Sequence, residues 1–229
     1  MIDLRKLADS VQYLVVKKIY GDHNDARNVR QALDRLIQKM PEPFTGLNIG
    51  AGQTNIHPSV KNLELEAGVD IDYVGSVLDI PCNDNEFDLV IAQEVLEHVK
   101  DPRKAVEEIC RILKKGGHFY LQLPFIIGFH PCPNDYWRFT HEGIQELLEH
   151  SNFRMTELKM TVGPAVGFYR ILVEFLSICF SFGIPLLYKP MKFIAAILCW
   201  PIKLLDPLLM KFKEANRIAG GYFIIGTKL

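Results

Sequence analysis

The fold is decided between Phe87 and Leu123, where the chain reads FDLVIAQEVLEHV from Phe87 and DPRKAVEEICRILKKGGHFYLQL from Asp101. Phe87–Ala92 is a near-continuous apolar run, the pattern of a strand covered on both faces. It stops at Gln93 and Glu94. Asp101 is a helix cap and Pro102 takes the first helical position, where a missing N–H costs nothing. The spacing predicts a helix over Asp101–Leu113, closed by Gly116 and Gly117. His118–Leu123 then reads as a second strand. Strand, helix and strand in that order make the repeating unit of a parallel sheet.

Working outward, Phe44–Ile49 reads as a first strand, followed by the loop Gly50-Ala51-Gly52. Lys61–Leu65 and Ile71–Val77 are candidate second and third strands. About ten residues separate the first two, and fewer the next two. A parallel crossover ordinarily needs a dozen or more, so turns are expected in place of helices here. Helices are expected over Asp3–Tyr20 and Asp25–Met40, making residues 1–43 a helical cover. Downstream, Thr140 caps a helix running to His150, Phe153–Thr161 is a sixth strand, and Gly221–Lys228 a last one. Residues 44–162 and 218–229 are therefore expected to form an α/β core, with residues 163–217 as a helical insertion before the last strand.

GLNIGAGQT at Gly46–Thr54, followed by FD-V, LEH and R-LK-GG within Phe87–Gly117, resembles the class I S-adenosylmethionine-dependent methyltransferases, in their small-molecule, type 11-like branch. The resemblance runs from about Phe44 to Lys159, half of the chain. It implies a mostly parallel Rossmann-like sheet, S-adenosylmethionine as cofactor, and displacement at the sulfonium methyl. It gives Gly50, Ala51 and Gly52 the methionine and ribose part of the cofactor, where glycine lets the backbone come close. Asn48 stands where an acid is common, and Thr54 where a third glycine is common. Asn48 still hydrogen-bonds, without a full charge. Glu64 is matched to the ribose diol, with Glu66 as competitor; Asp79 is matched to the adenine amino group, and Ile80 to the ring. Gln93 and Glu94 end a parallel strand, whose carboxyl end faces the ligand crevice. The departures at Asn48 and Thr54 leave a non-catalytic binding protein of the same fold as the alternative. A nicotinamide oxidoreductase would need a glycine at Asn55.

The acceptor side is expected in Pro124–Thr140, PFIIGFHPCPNDYWRFT. His130 is the candidate general base, since its pKa lies near working pH. Asp135 is the runner-up, and Arg138 either holds an anionic substrate or pairs with Asp135. His98 is expected to hold the local turn. His130 and Cys132 have no second pair of ligands in sequence, so no metal is expected.

Composition narrows the partners. The 26 basic and 27 acidic residues give no surplus that would favour nucleic acid. Five cysteines without a C-x-x-C pair suit reduced thiols, and the first residues lack a signal-peptide pattern, so a cytoplasmic chain is expected. The last third is unusually apolar. Ile171–Tyr188 carries Glu174 as its one charge, with Gly183 and Pro185 inside; Phe193–Met210 is interrupted by Pro201, Lys203, Asp206 and Pro207. Lysines 189, 192, 203, 211 and 213 flank these runs. Such broken runs are expected to lie in a membrane interface, making the protein peripheral on the inner face, with a small or lipid-linked acceptor. A helical cap packed on its own domain or on a twin subunit is the alternative, with a two-span hairpin as a third.

Overall fold

The computed structural model describes residue 24, residues 26–52 and residues 54–229; the helix expected over Asp3–Tyr20 lies outside them. Helix α1 (Arg27–Ile37) occupies the second expected helix and buries Val29, Ala32, Leu33 and Leu36, a one-sided stripe. The chain divides into two compact units. One comprises residues 32–125, 129–160 and 221–229; the other comprises residues 126–128, 161–220 and the described residues before 32.

The first unit is built on seven strands: β1 (Gly46–Ile49), β2 (Val60–Glu64), β3 (Tyr73–Val74), β4 (Phe87–Gln93), β5 (Leu113–Pro124), β6 (Phe153–Met160) and β7 (Gly221–Lys228). Their order is β3-β2-β1-β4-β5-β7-β6. β1 to β5 are parallel, and β7 runs antiparallel between β5 and β6. All four residues of β1 are buried, as are five of the seven in β4, which is why both read as continuous apolar runs. The chain steps outward from β1 to β3 and then returns to β4 on β1's other side. That reversal opens a crevice at the carboxyl ends of β1 and β4.

Among the described residues, no helix connects β1 to β2 or β2 to β3. A buried asparagine does the fastening instead. Asn62 donates through Nδ2 to Asn55 Oδ1 (2.8 Å) and to the Asp70 carbonyl (3.0 Å), one from each connection. Its backbone N–H reaches Asp72 Oδ2 at 2.8 Å, and its own Oδ1 accepts from Asn48 Nδ2 at 3.3 Å. β3 is shorter than the Ile71–Val77 expected. After Gly75 N–H bonds the Glu64 carbonyl, the backbone turns through a Ser76–Asp79 bridge and leaves the ladder.

Helix α2 (Pro102–Ile112) starts as expected, with Asp101 Oδ1 accepting from Lys104 N–H at 3.1 Å. It ends at Ile112, and Leu113 is already extended. β5 therefore begins five residues before the expected His118, its pairing with β4 shifting register between Phe87 and Leu89. Helix α3 (His141–Glu149) is capped by Thr140 Oγ1, which accepts from Gly143 N–H at 3.0 Å.

The second unit is a helical hairpin, α4 (Pro164–Ser181) and α5 (Pro185–Cys199), followed by short helical turns that include α6 (Asp206–Leu209). Phe182 and Gly183, at φ 51° and 73°, reverse the chain. Tyr169 and Val173 of α4 pack on Ala195 and Ala196 of α5. Asp206 is buried and caps α4 from a distance, accepting from Gly163 and Ala165 N–H at 2.7 Å each. Glu174 pairs across the hairpin with Lys192 and Tyr188. By length and composition, α4 alone among the described helices is long and apolar enough to cross a membrane.

Candidate active site

A cavity of about 250 Å³ opens at the carboxyl ends of β1, β2 and β4. Ile49, Gly50 and Gly52 form one wall, Leu63, Glu64 and Leu65 another, and Gly75 to Val77 a third; Glu94, Val95, His98, Val99, Cys132 and Pro133 complete it. Gly50 sits at φ 65° and Gly52 at φ 57°, where side chains are strained. A Cβ on Gly50 would stand 2.6 Å from Val95 Cγ2, whereas one on Gly52 would meet nothing within 4 Å. Gly50 therefore allows close packing under the loop, and Gly52 leaves the loop open on its ligand side. Glu64 Oε1 accepts from Gly52 N–H, tying the acid of β2 to the glycine loop.

The expected cofactor residues thus divide. Gly50, Gly52 and Glu64 line the cavity. Asn48 does not: it is buried in the network with Asn62, on the opposite pleat from Ile49, which lines the cavity. Ala51, the middle residue of the loop, is buried and does not line the cavity. Gln93 bonds Gln122 Oε1 at 3.3 Å, and the next residue, Glu94, reaches the cavity by adopting φ 55°. A non-glycine residue there is unusual and clusters at functional sites. Asp79 and Ile80 are not among the lining residues. Ile80 is buried, its N–H on Glu108 and its carbonyl on Arg111. Ser76 and Val77, just before them, take the wall. Sequence reading missed those two, together with Val95 and His98. The signal available was position: all follow the carboxyl end of a parallel strand.

The loop 129–140 departs further from expectation. Asp135 is held by a bidentate pair with Arg138, at 2.6 Å and 2.7 Å, and it accepts the His130 N–H at 2.8 Å. The Arg138 guanidinium is the main reason its carboxyl lies well below the usual carboxylate range. Asp135 therefore braces the loop through these contacts. His130 turns Nδ1 toward Arg138 Nη2 at 3.2 Å, and its Nε2 lies 3.7 Å from Glu97 Oε1. Both ring nitrogens of His130 thus face protein groups. His98 holds the turn, as expected, through Nδ1 on the Asn134 carbonyl at 2.5 Å.

Residues 33–121 match the family model described as a methyltransferase domain. The ubiquinone biosynthesis O-methyltransferase of Pectobacterium atrosepticum is 33% identical over 78 residues, covering 33% of this chain and 31% of the relative. The one from Marinobacter nauticus is 28% identical over 149 residues, 56% of this chain and 61% of the relative. The chain thus spans less than two thirds of either. Among solved structures, a sarcosine dimethylglycine methyltransferase assignment from Galdieria sulphuraria superposes with TM-score 0.56 at 16% identity, covering 88% of this chain and 85% of that one. Phosphoethanolamine N-methyltransferase 2 of Haemonchus contortus, in complex with S-adenosyl-L-methionine, gives TM-score 0.58 at 18% identity, with 100% and 60% covered. Residues 33–121 thus match a methyltransferase domain, and the sheet order and the glycine loop agree with the class I fold of S-adenosylmethionine-dependent methyltransferases.

Proposed function

We propose that this protein transfers a methyl group from S-adenosylmethionine to a small or lipid-linked acceptor, working at the cytoplasmic face of a membrane. The observation that carries the reading is the cavity bounded by the open glycine loop and by Glu64. Bound there, the cofactor supplies an activated methyl group. The chain's own part is positioning and exclusion of water. Gly50 and Gly52 let the main chain come close to the cofactor with no side chain in the way, Glu64 offers a carboxylate to hydroxyl donors, and Val77, Val95 and Val99 give the apolar wall a flat ring prefers. Two relatives named as O-methyltransferases favour an oxygen as the methyl acceptor.

The membrane part of the reading is supported by the second unit. Phe168, Ile171, Phe175, Ile178, Phe182, Leu186 and Leu198 are exposed, far more apolar surface than a soluble hairpin ordinarily shows water. Calorimetry tests the cofactor. S-adenosylmethionine should bind the wild-type protein, and Gly50→Val should lose at least tenfold in affinity, since the new side chain has no room beside Val95 and is strained at that φ. Wild-type protein that takes up a nicotinamide dinucleotide in preference would overturn the reading.

A further inference from the structure

The apolar surface of the helical hairpin is concentrated at its turn. From Phe175 to Tyr188, the end of α4 and the start of α5, the chain carries no charged side chain. Ile178, Phe180, Phe182, Ile184 and Leu186 within this stretch are all exposed. Neighbours along a helix are about 100° apart, so Ile178 and Phe180 leave α4 on nearly opposite sides. A helix lying flat on a membrane shows apolar residues on one face; this tip shows them all round. Its hydroxyls bond inward. Ser177 donates to the Val173 carbonyl, Ser181 to the Ile178 carbonyl at 2.9 Å, and Tyr188 to Glu174. Water would satisfy such groups anywhere, whereas hydrocarbon requires the protein to satisfy them itself.

Charge collects behind the tip. Glu174 pairs with Lys192 across the two helices, Lys189 is exposed, and Lys203 lies over the Tyr169 ring. Residues 163–217 hold seven basic against three acidic residues, in a chain of net charge -1. A basic collar behind an apolar tip complements a layer of anionic headgroups. We infer that the hairpin enters a lipid bilayer end-on, turn first, and stops within the near leaflet, with the Glu174–Lys192 pair at the headgroups. The inference rests on the membrane reading above and adds the mode and depth of insertion. Phe182 is eight residues beyond Glu174. Along a helix that is about 12 Å, against an apolar half-thickness of about 15 Å. The stretch is too short to span both leaflets, which takes about 20 residues per helix. The long side chain of Lys189 reaches back to the headgroups. A second copy of the chain would cover one side of the tip and leave either Ile178 or Phe180 in water.

Cosedimentation with vesicles of phosphatidylcholine and phosphatidylglycerol tests the mode. Phe182→Asp and Leu186→Asp, at the tip, should each lower vesicle affinity at least tenfold, because a carboxylate would have to enter hydrocarbon. Both suit their backbone: aspartate tolerates the positive φ at 182 and favours the first turn of α5 at 186. Tm values equal to wild type should show both to be folded. Phe168→Asp and Leu198→Asp, at exposed positions toward the other ends of α4 and α5, should lower affinity less than threefold. Lipid brominated midway along its acyl chains should quench the fluorescence of Phe182→Trp more strongly than that of wild type. Wild-type protein that ignores the vesicles removes the membrane reading and this inference with it. Wild type that binds while the base variants lose as much as the tip variants, or while Phe182→Trp gains no quenching, overturns the end-on mode alone. A lipid-free dimer that Phe182→Asp dissociates overturns it in favour of a second copy.

Discussion

At the scale of single residues, Arg138 and Asp135 show how a loop of polar side chains becomes rigid. The bidentate pair and the His130 N–H saturate one carboxylate, so the loop's shape depends on that carboxylate staying charged. Its pKa is depressed in the folded protein, chiefly by Arg138. Such a group contributes stability that is present above the unfolded value, about 3.9, and is lost as pH falls through the lower folded value. Asp135→Asn should therefore melt below wild type at neutral pH, with the gap narrowing as pH drops below about 4. Thermal melts across that range check it; a gap independent of pH would show that Asp135 acts by shape alone. Glu108 has the same sign, lowered first by its hydrogen bond from Arg111, and adds to acid sensitivity at the loop Ile80–Asp84.

At the scale of elements, the sheet shows that a parallel crossover can dispense with its helix if polar groups in the connections are satisfied elsewhere. Asn62 does this by bonding both connections and Asn48 from inside β2. Asn62→Leu would fill similar volume but leave Asn55, Asp70 and Asn48 groups without that partner. Each buried polar group so orphaned costs about 1–3 kcal/mol. A loss of about 3 kcal/mol in urea unfolding is expected, together with weaker cofactor binding, because the glycine loop is part of the first connection. A variant as stable as wild type would mean that water replaces the side chain. The strand-helix-strand unit from Phe87 to Leu123 was legible in the sequence because its signals are local: an apolar run, a cap, a proline at the first position. The start of β5 was not, because glycines at 116 and 117 signal a helix end equally well when they serve a register shift.

At the scale of the molecule, the apolar excess of the last third remains visible after folding. Phe182 is 78% exposed and Leu186 84%. Burying such surface in a lipid interface is worth about 25 cal/mol per Å², and each lysine near anionic lipid adds about 1 kcal/mol. The protein should sediment with anionic vesicles, and high salt should weaken that binding without abolishing it. The double variant Phe182→Ser, Leu186→Ser should reduce it further than salt does. Full-length protein that stays monodisperse without detergent and ignores vesicles would favour the helical-cap alternative.

By itself the sequence determined the fold and the glycine loop, since periodicity, caps and turn residues act over a few positions and carry their meaning with them. It also placed Glu64 at the end of β2 that lines the cavity. Only the tertiary structure decided which neighbours of those signals face the cavity. Asn48 and Gln93 turn to Asn62 and Gln122 while Glu94 lines the cavity, because one pleat reverses a side chain's face and one residue at positive φ redirects it. Only the tertiary structure brought His130 to Glu97 and His98. Thirty-two positions separate the two histidines, and no local pattern encodes a distance that arises when a loop after one strand packs on the turn after another.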